Sequence, residues 1–297
     1  MTRIVEKTSL LDAAFTARLD QLDLLSRKIL LGKLHGERRS KKRGQSVEFA
    51  DYRNYVPGDD PRFIDWNIYA RLDRLLLKLF TEEEDLVLYV ICDISRSTEF
   101  GEPNKARYIK QVAAALSYIG LVNANRVHVA AIGKEVRETG AIRGRTKVPR
   151  MLDFLNGLEA EEGGDFALAC KRFAMGHRQK GLCVLISDFL IKDGFQNGVK
   201  YLTSSGYDFF ALQILAPQEI EPEVRGDLRL VDVEDQDATE VSITQPVIKK
   251  YRETVNAYCN SVKDYVTRRG GAYLLASTGM RFDQLVLKHL RQRRLIG

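Results

Sequence analysis

The chain has 297 residues, of which 44% are hydrophobic and 29% charged, so its composition is that of a folded globular protein. A net charge of +6 is too dilute over this length to indicate a nucleic-acid partner by itself. The four cysteines show no Cys-x-x-Cys spacing, which argues against a zinc ribbon and a disulfide framework. No apolar run approaches the ~20 residues that span a bilayer, and the N-terminus lacks the layout of a signal peptide. We therefore expect a cytoplasmic protein without membrane contact.

Residues 1–74 are predicted to form a helix and a charged extended segment that pack on the core. One amphipathic helix of about seven turns is predicted over 9–34, because apolar residues recur there at three-and-four spacing: Leu11, Phe15, Leu22, Leu25 and Ile29. A basic loop follows, and then an extended, aromatic-rich segment begins near position 46. We expect the apolar stripe of the helix to lie against the main body.

The segment from Pro57 to Ala70 carries turn and helix-start signals. Pro57-Gly58 predicts a type II turn, because glycine tolerates a positive φ. Asp60 before Pro61 predicts an N-cap followed by a first-turn proline. A short helix carrying Trp66 is therefore predicted over 62–70.

Residues 75–297 alternate apolar strand-like runs with segments of helical periodicity. The predicted strands are 75–80, 86–93, 126–133, 135–142, 181–189, 207–215 and 270–277. The predicted helices are 103–123, 147–158, 165–175, 192–204, 246–269 and 281–294. A β-hairpin insertion is predicted at about 227–244. Repeated strand–helix units predict a Rossmann-like α/β domain: three layers, with a mostly parallel sheet flanked by helices.

The common enzyme signatures are missing from the sequence. It contains no P-loop, no dinucleotide-binding glycine pattern and no nucleophile elbow, and its four histidines are scattered. Asp93, Ser95 and Ser97 directly follow the apolar strand 86–92, where ligands bind in open parallel sheets. One carboxylate and two hydroxyls suit Mg²⁺, with Mn²⁺ or Ca²⁺ as alternatives. The same groups could instead satisfy turn and cap amides.

Two patterns resemble known families. Asp-x-Ser-x-Ser after an apolar strand resembles the metal-ion-dependent adhesion site of von Willebrand factor A domains. The stretch from Glu48 to Phe80, with Tyr52-Arg53, Pro57-Gly58-Asp59-Asp60 and Ile64-Asp65-Trp66, resembles the domain of unknown function 58 family. This resemblance implies a von Willebrand A-like domain that works as an accessory protein of a MoxR-type AAA+ ATPase.

The resemblance implies a metal site, which we map residue by residue. Asp93, Ser95 and Ser97 match its first loop, and Asp188 matches the aspartate of its third loop. The second loop normally supplies a threonine, and Asp165 stands near that position here. Asp165 either replaces the threonine as a ligand or caps the following helix.

The charged segment 48–71 has two interpretations. Its charged and aromatic residues could form a partner-docking face, for which the candidates are Arg53, Asp59, Asp60, Asp65, Trp66 and Arg71. The charges could equally pair with each other and hold an irregular segment in place. We favour the internal network.

The favoured function is a non-enzymatic, cytoplasmic adaptor that docks a MoxR-type AAA+ ATPase or its client protein through the metal-site face. One alternative is a metal-dependent phosphoesterase with Asp93, Asp165 and Asp188 as ligands. The other is nucleic-acid binding through two basic clusters that lack interleaved aromatic residues: Arg38, Arg39, Lys41, Lys42 and Arg43, and Arg291, Arg293 and Arg294.

Overall fold

A computed structural model describes residues 10–24, 47–82, 86–162, 164–222, 226–231, 238–293 and 295–297. These residues fall into two compact units, one holding 10–24 together with everything from Leu86 onward, and the other holding 47–82. The boundary predicted between positions 74 and 75 therefore differs from the one observed. The strand predicted at 75–80 belongs to the smaller unit, because it pairs with the strand that begins at Val47.

The N-terminal helix is shorter than predicted. Helix α1 spans Ala13–Leu19, and its N-cap Asp12 accepts a hydrogen bond from the backbone N–H of Phe15 at 2.6 Å. The prediction of one helix over 9–34 is wrong at Asp20, whose carboxylate accepts hydrogen bonds from Tyr118 and Arg145. A turn follows at 20–21, and Leu24 forms an antiparallel bridge with Ile296. Phe15 and Leu19 are buried in the core, as the apolar stripe predicted. Residues 25–46, which include Leu25, Ile29 and the basic loop, lie outside the described residues.

The smaller unit is an antiparallel strand pair with a short helix between its strands. Strand β1 (Val47–Asn54) pairs with β2 (Leu76–Glu82), and helix α2 spans Trp66–Leu72. The predicted type II turn is observed, since Gly58 has a φ of 106° and the N–H of Asp59 donates to the carbonyl of Val56.

The helix predicted over 62–70 is divided in two. Asp60 caps a 3₁₀ turn at Pro61–Phe63, and Asp65 then caps α2 by accepting from the N–H groups of Asn67 and Ile68. Two aspartate caps in succession explain the break, because each one starts a new turn.

A six-stranded sheet forms the centre of the larger unit. The strands of this unit are β3 (Val87–Asp93), β4 (Arg126–Ile132), β5 (Val136–Arg143), β6 (Leu182–Ser187), β7 (Asp208–Leu215), β8 (Gly226–Val231), β9 (Ala238–Ile243) and β10 (Ala272–Ser277). The sheet order is β10-β7-β6-β3-β4-β5, and only the edge strand β5 is antiparallel to its neighbour. Strands β8 and β9 form the predicted hairpin outside this sheet.

Helices cover both faces of the sheet. They are α3 (Lys105–Val122), α4 (Val148–Asn156), α5 (Phe166–Gly176), α6 (Gln196–Ser204), α7 (Pro217–Ile220), α8 (Gln245–Arg268) and α9 (Phe282–Gln284), with a π-helical turn at Leu285–Leu290. One core cluster packs α1, α3 and α4 on the first face, and another packs α5, α6 and α8 on the second. The predicted three-layer α/β architecture is confirmed.

Strand β3 shows why its sequence is a continuous apolar run. All of its residues are buried, with Leu88, Val90 and Cys92 on one face and Tyr89 and Ile91 on the other. The four cysteines are free and buried. Within the described part of the chain, no helix combines the length and the apolar character needed to cross a bilayer.

Candidate functional site

Asp93 ends the central strand β3 and anchors the loop that follows it. Its Oδ1 accepts a hydrogen bond from the backbone N–H of Ser95 at 2.9 Å, and its Oδ2 accepts one from the hydroxyl of Ser187 at 2.5 Å. Burial above all, and also the negative charge of Asp188, raises the pKa of Asp93 from 3.8 to about 6. The two hydrogen bonds act in the opposite direction. Asp93 is thus a buried carboxyl group held by neutral donors.

The two serines of the predicted metal loop lie side by side. The hydroxyl oxygens of Ser95 and Ser97 are 3.0 Å apart, and both residues are partly buried. The hydroxyl of Thr98 donates to the carbonyl of Ser95 at 2.7 Å, which closes a short 3₁₀ turn. The structure therefore brings together Asp93, Ser95 and Ser97 in one ordered loop, as the sequence predicts.

Asp188 lies at the corresponding end of the neighbouring strand β6. Its Oδ1 accepts from the N–H of Leu190 at 3.0 Å, and its Oδ2 lies 2.8 Å from the ammonium nitrogen of Lys105. Phe189 has a φ of 59°, and its N–H donates to the hydroxyl of Ser187. A sharp turn after β6 thus directs the carboxylate of Asp188 to a buried lysine.

Lys105 is the residue of this site that sequence reasoning missed. Its side chain is fully buried, and its ammonium nitrogen also lies 2.6 Å from Oε1 of Glu219, while Oε2 of Glu219 accepts from the N–H of Ala216 at 2.7 Å. Burial raises the pKa of Glu219, and the ammonium of Lys105 opposes that rise. Helical periodicity could have indicated its burial, because Lys105 lies on the same face of α3 as the buried residues Ile109 and Val112.

Asp165 acts as a helix cap. Its carboxylate accepts from the N–H of Leu168 at 2.8 Å, and the residue is exposed at the start of α5. The carboxylate oxygens of Asp93, Asp165 and Asp188 do not form a trio within 4.8 Å of one another, since the one such group among the described residues lies elsewhere. The ligand role of Asp165 remains a prediction.

The residues of the candidate site provide some of the ligands that a divalent cation needs. Asp93, Ser95 and Ser97 offer one carboxylate and two hydroxyl oxygens from a single loop, which are the hard ligands that Mg²⁺ prefers. Asp188 already has a cationic partner in Lys105. These three loop residues would therefore hold the ion, and Asp188 would contribute no uncompensated charge.

The charges of the segment 48–71 pair within the smaller unit. Arg53 makes a bidentate ion pair with Asp59, at 2.9 and 2.7 Å, and Arg62 pairs with Asp60. Asp65 accepts from Lys78 at 2.9 Å and from the hydroxyl of Tyr52 at 3.0 Å. The hydrogen bond from Lys78 is the main reason that the pKa of Asp65 falls to about 2.

This pairing agrees with the favoured internal network for Arg53, Asp59, Asp60 and Asp65. The other two candidates differ, since Arg71 is exposed and Trp66 is 58% exposed, with its ring in an edge-to-face contact with that of Tyr69. A docking role for Trp66 and Arg71 remains a prediction.

The basic clusters behind the nucleic-acid alternative are only partly described. Arg291 and Arg293 are exposed at the C-terminal end, whereas Arg294 and the cluster at 38–43 lie outside the described residues.

Comparisons with known proteins place the chain in a family. A family model described as "Protein of unknown function DUF58" matches residues 51–260. The uncharacterized protein Rv1480 of Mycobacterium tuberculosis (strain ATCC 25618 / H37Rv) is 26% identical over 289 residues, which cover 95% of this chain and 91% of that protein.

Solved structures of two other proteins are similar at low identity. An aerotolerance-related membrane protein from Bacteroides fragilis has a TM-score of 0.44 at 14% identity, covering 70% of this chain and 98% of that one. A von Willebrand factor type A structure from Catenulispora acidiphila has a TM-score of 0.39 at 11% identity, covering 74% of this chain and 43% of that one. Because the family model matches more than half of its length, this chain belongs to the DUF58 family.

Proposed function

We propose that the protein is a non-enzymatic adaptor that docks a MoxR-type AAA+ ATPase, or the client of that ATPase, through the carboxyl-end surface of its sheet. We call this surface the docking face and define it by Ser95, Ser97, Phe100 and Leu190. The observation that carries the proposal is that the charged groups beneath the docking face are paired inward, while Phe100 and Leu190 are 45% and 39% exposed.

The groups below the docking face hold its loops in place. Asp93 accepts from both the loop after β3 and Ser187, and Lys105 joins Asp188 to Glu219. Protein interfaces are enriched in aromatic side chains such as Phe, and a few well-packed residues near the centre carry most of the binding energy. The arrangement supports recognition of a protein surface more directly than chemistry on a small molecule.

A divalent cation is part of the proposal. Bound at Asp93, Ser95 and Ser97, Mg²⁺ would supply positive charge at the surface of the docking face. Asp93 and the two hydroxyls would orient the ion, and Lys105 would keep Asp188 neutralised below it. Phe100 and Leu190 would make the apolar contacts with the partner.

The phosphoesterase alternative is less well supported by the same geometry. It needs three carboxylates around a metal, whereas Asp165 caps α5 and Asp188 pairs with Lys105. The hydrogen-bond partners described for Asp93 are Ser95 and Ser187, and neither is paired with a histidine that could act as a base.

The proposal is tested by calorimetric titration of the full chain with the purified MoxR-type ATPase of its own host, with Mg²⁺ or with EDTA. Phe100→Ala and Leu190→Ala are expected to weaken binding at least about tenfold, as for central interface residues. Met175→Ala is the matched control, since Met175 is an exposed apolar residue near the end of α5. Equal binding by all three variants would refute the docking face, and a loss confined to Trp66→Ala would move the interface to the smaller unit.

A further inference from the structure

A second group of ligand-type side chains lies at the antiparallel edge of the sheet. His128 is on β4, Glu138 is on the edge strand β5, and His177 directly follows α5. One ligand atom from each residue lies within 4.8 Å of the other two. We propose that His128, Glu138 and His177 form a transition-metal site that binds Zn²⁺.

The donor set selects this type of metal. Two imidazole nitrogens and one carboxylate are ligands of borderline softness that suit Zn²⁺, whereas Mg²⁺ and Ca²⁺ prefer a shell made of oxygens. In a tetrahedral zinc site with bonds of about 2.0–2.1 Å, neighbouring ligand atoms are roughly 3.3 Å apart. The Nε2 of His177 and the Oε2 of Glu138 are already 3.1 Å apart.

His177 is oriented as metal-binding histidines are. Its Nδ1 lies 2.9 Å from the carbonyl oxygen of Phe173, so Nδ1 carries the proton and donates it to that carbonyl. The lone pair of Nε2 is then directed towards Glu138. Such a hydrogen bond to the second nitrogen fixes the tautomer and ring orientation of a zinc-bound histidine.

His128 supplies the third ligand and a polar atom that lacks a partner. Its Nδ1 is buried and has no hydrogen-bond partner among the residues that the structure describes. Its ring lies beside those of Tyr89 and His177, with centroid distances of 5.0 and 4.9 Å. A buried polar atom left without a partner is unfavourable, and a small movement of the ring towards a bound ion would satisfy one of its nitrogens.

The surroundings leave room for the ion to enter. The side chain of Glu138 is 40% exposed and that of His177 is 12% exposed, so the carboxylate is reached from solvent. Three protein ligands leave a fourth position for water. The ion would join β4, the edge strand β5 and the end of α5. It would thus fasten the edge of the sheet to the helix layer, independently of the docking face.

The test uses the full chain, freed of metal with a chelator and then titrated with Zn²⁺ by calorimetry and with Co²⁺ by visible absorption. Wild type is expected to bind one Zn²⁺ per chain and to give the intense d–d bands of tetrahedral Co²⁺. Glu138→Gln is expected to weaken Zn²⁺ binding by more than about tenfold, because even second-layer changes cost 10–100-fold. Glu135→Gln is the control, since Glu135 is an exposed carboxylate just before the same strand.

Two further variants separate this site from others. Asp93→Asn is expected to bind Zn²⁺ like wild type, which would place the ion away from the loop of Asp93, Ser95 and Ser97. His177→Gln should lose binding, and the exposed position of Glu138 keeps the test valid if that variant does not fold. Absence of Zn²⁺ binding in wild type, or Glu138→Gln binding as tightly as wild type, would overturn the proposal and leave His177 and Glu138 as a simple ion pair.

Discussion

Two networks of charged side chains in this protein have similar ion-pair distances but differ in burial. Below the docking face, Lys105 pairs with Asp188 and Glu219, and the lysine and Asp188 side chains are 0% and 1% exposed. In the smaller unit, Arg53 pairs with Asp59 at similar distances, yet the arginine side chain is 46% exposed. Similar contact distances therefore carry different energies, because water screens the exposed pair and is excluded from the buried one.

Because they differ in burial, we expect the two networks to have different roles. Loss of one partner from a buried pair leaves an uncompensated charge in the core, whereas loss of one from an exposed pair leaves a charge that water solvates. The buried network is thus expected to determine whether the loops of the docking face keep their shape. The exposed network is expected to shape only the turn at 57–60.

The largest expected effect follows removal of Lys105. Lys105→Ala should lower the free energy of unfolding by about 3–5 kcal/mol, because it leaves Asp188 and Glu219 facing each other without a cation. Urea denaturation measures this loss.

The double variant Lys105→Met/Asp188→Asn tests whether the loss of stability comes from the unpaired carboxylates. It should recover part of the lost stability, because it removes one of the two unpaired carboxylates and fills the space of the lysine. A Lys105→Ala variant as stable as wild type would show that the buried ion pairs contribute nothing to the free energy of unfolding. The buried network would then not differ in energy from the exposed one.

The second effect concerns Asp93, a buried carboxyl group whose described hydrogen-bond partners, Ser95 and Ser187, are neutral. Its pKa in the folded protein is about 6, above its ordinary 3.8, so the folded state holds the proton more tightly than the unfolded state. Stability from this group is complete below pH 3.8 and is lost as the pH rises through about 6. The full difference corresponds to roughly 3 kcal/mol.

Asp93→Asn is therefore expected to flatten the decline of thermal stability between pH 4 and pH 7, measured by calorimetry in EDTA. Other carboxyl groups titrate in both proteins, so the difference between the two curves isolates Asp93. Mg²⁺ should raise the wild-type melting temperature at pH 7 and leave that of Asp93→Asn unchanged. Parallel curves without a Mg²⁺ effect would contradict both the buried charge and its role as a ligand.

The smallest effect is expected in the exposed network. Arg53→Ala should change the free energy of unfolding by less than about 1 kcal/mol, because the pair with Asp59 is open to solvent. The turn should persist, since Asp59 also accepts from the N–H of Val56 at 2.9 Å. A loss as large as that of Lys105→Ala would remove the distinction between the two networks.

Local sequence patterns predict most of the helices and strands. They fail where contacts with residues distant in the sequence determine where an element ends or which strand it pairs with. The apolar run of β3 and the stripe of α3 each indicate their own burial, and both are observed. Helix α1 ends early because Asp20 bonds to Tyr118 and Arg145, which are far away in the sequence. The strand predicted at 75–80 pairs with β1 in the smaller unit, because strand periodicity does not identify the pairing partner.

The same difference between local patterns and distant contacts holds for the candidate site. Asp93, Ser95 and Ser97 form one loop and can be found as a motif, whereas Lys105 reaches Asp188 and Glu219 only through the fold. The four histidines are scattered in the sequence, and the structure brings His128 and His177 together because β4 lies beside the end of α5. Contacts between distant elements have no signature in a single sequence without aligned relatives.

Hydrogen–deuterium exchange of the full chain, with and without the MoxR-type ATPase, tests whether that ATPase binds the proposed docking face. We expect slower exchange on binding at 94–101 and 189–191, with exchange in β10 and at the end of α5 unchanged. Slower exchange confined to other regions, with both loops exchanging as in the free protein, would contradict it.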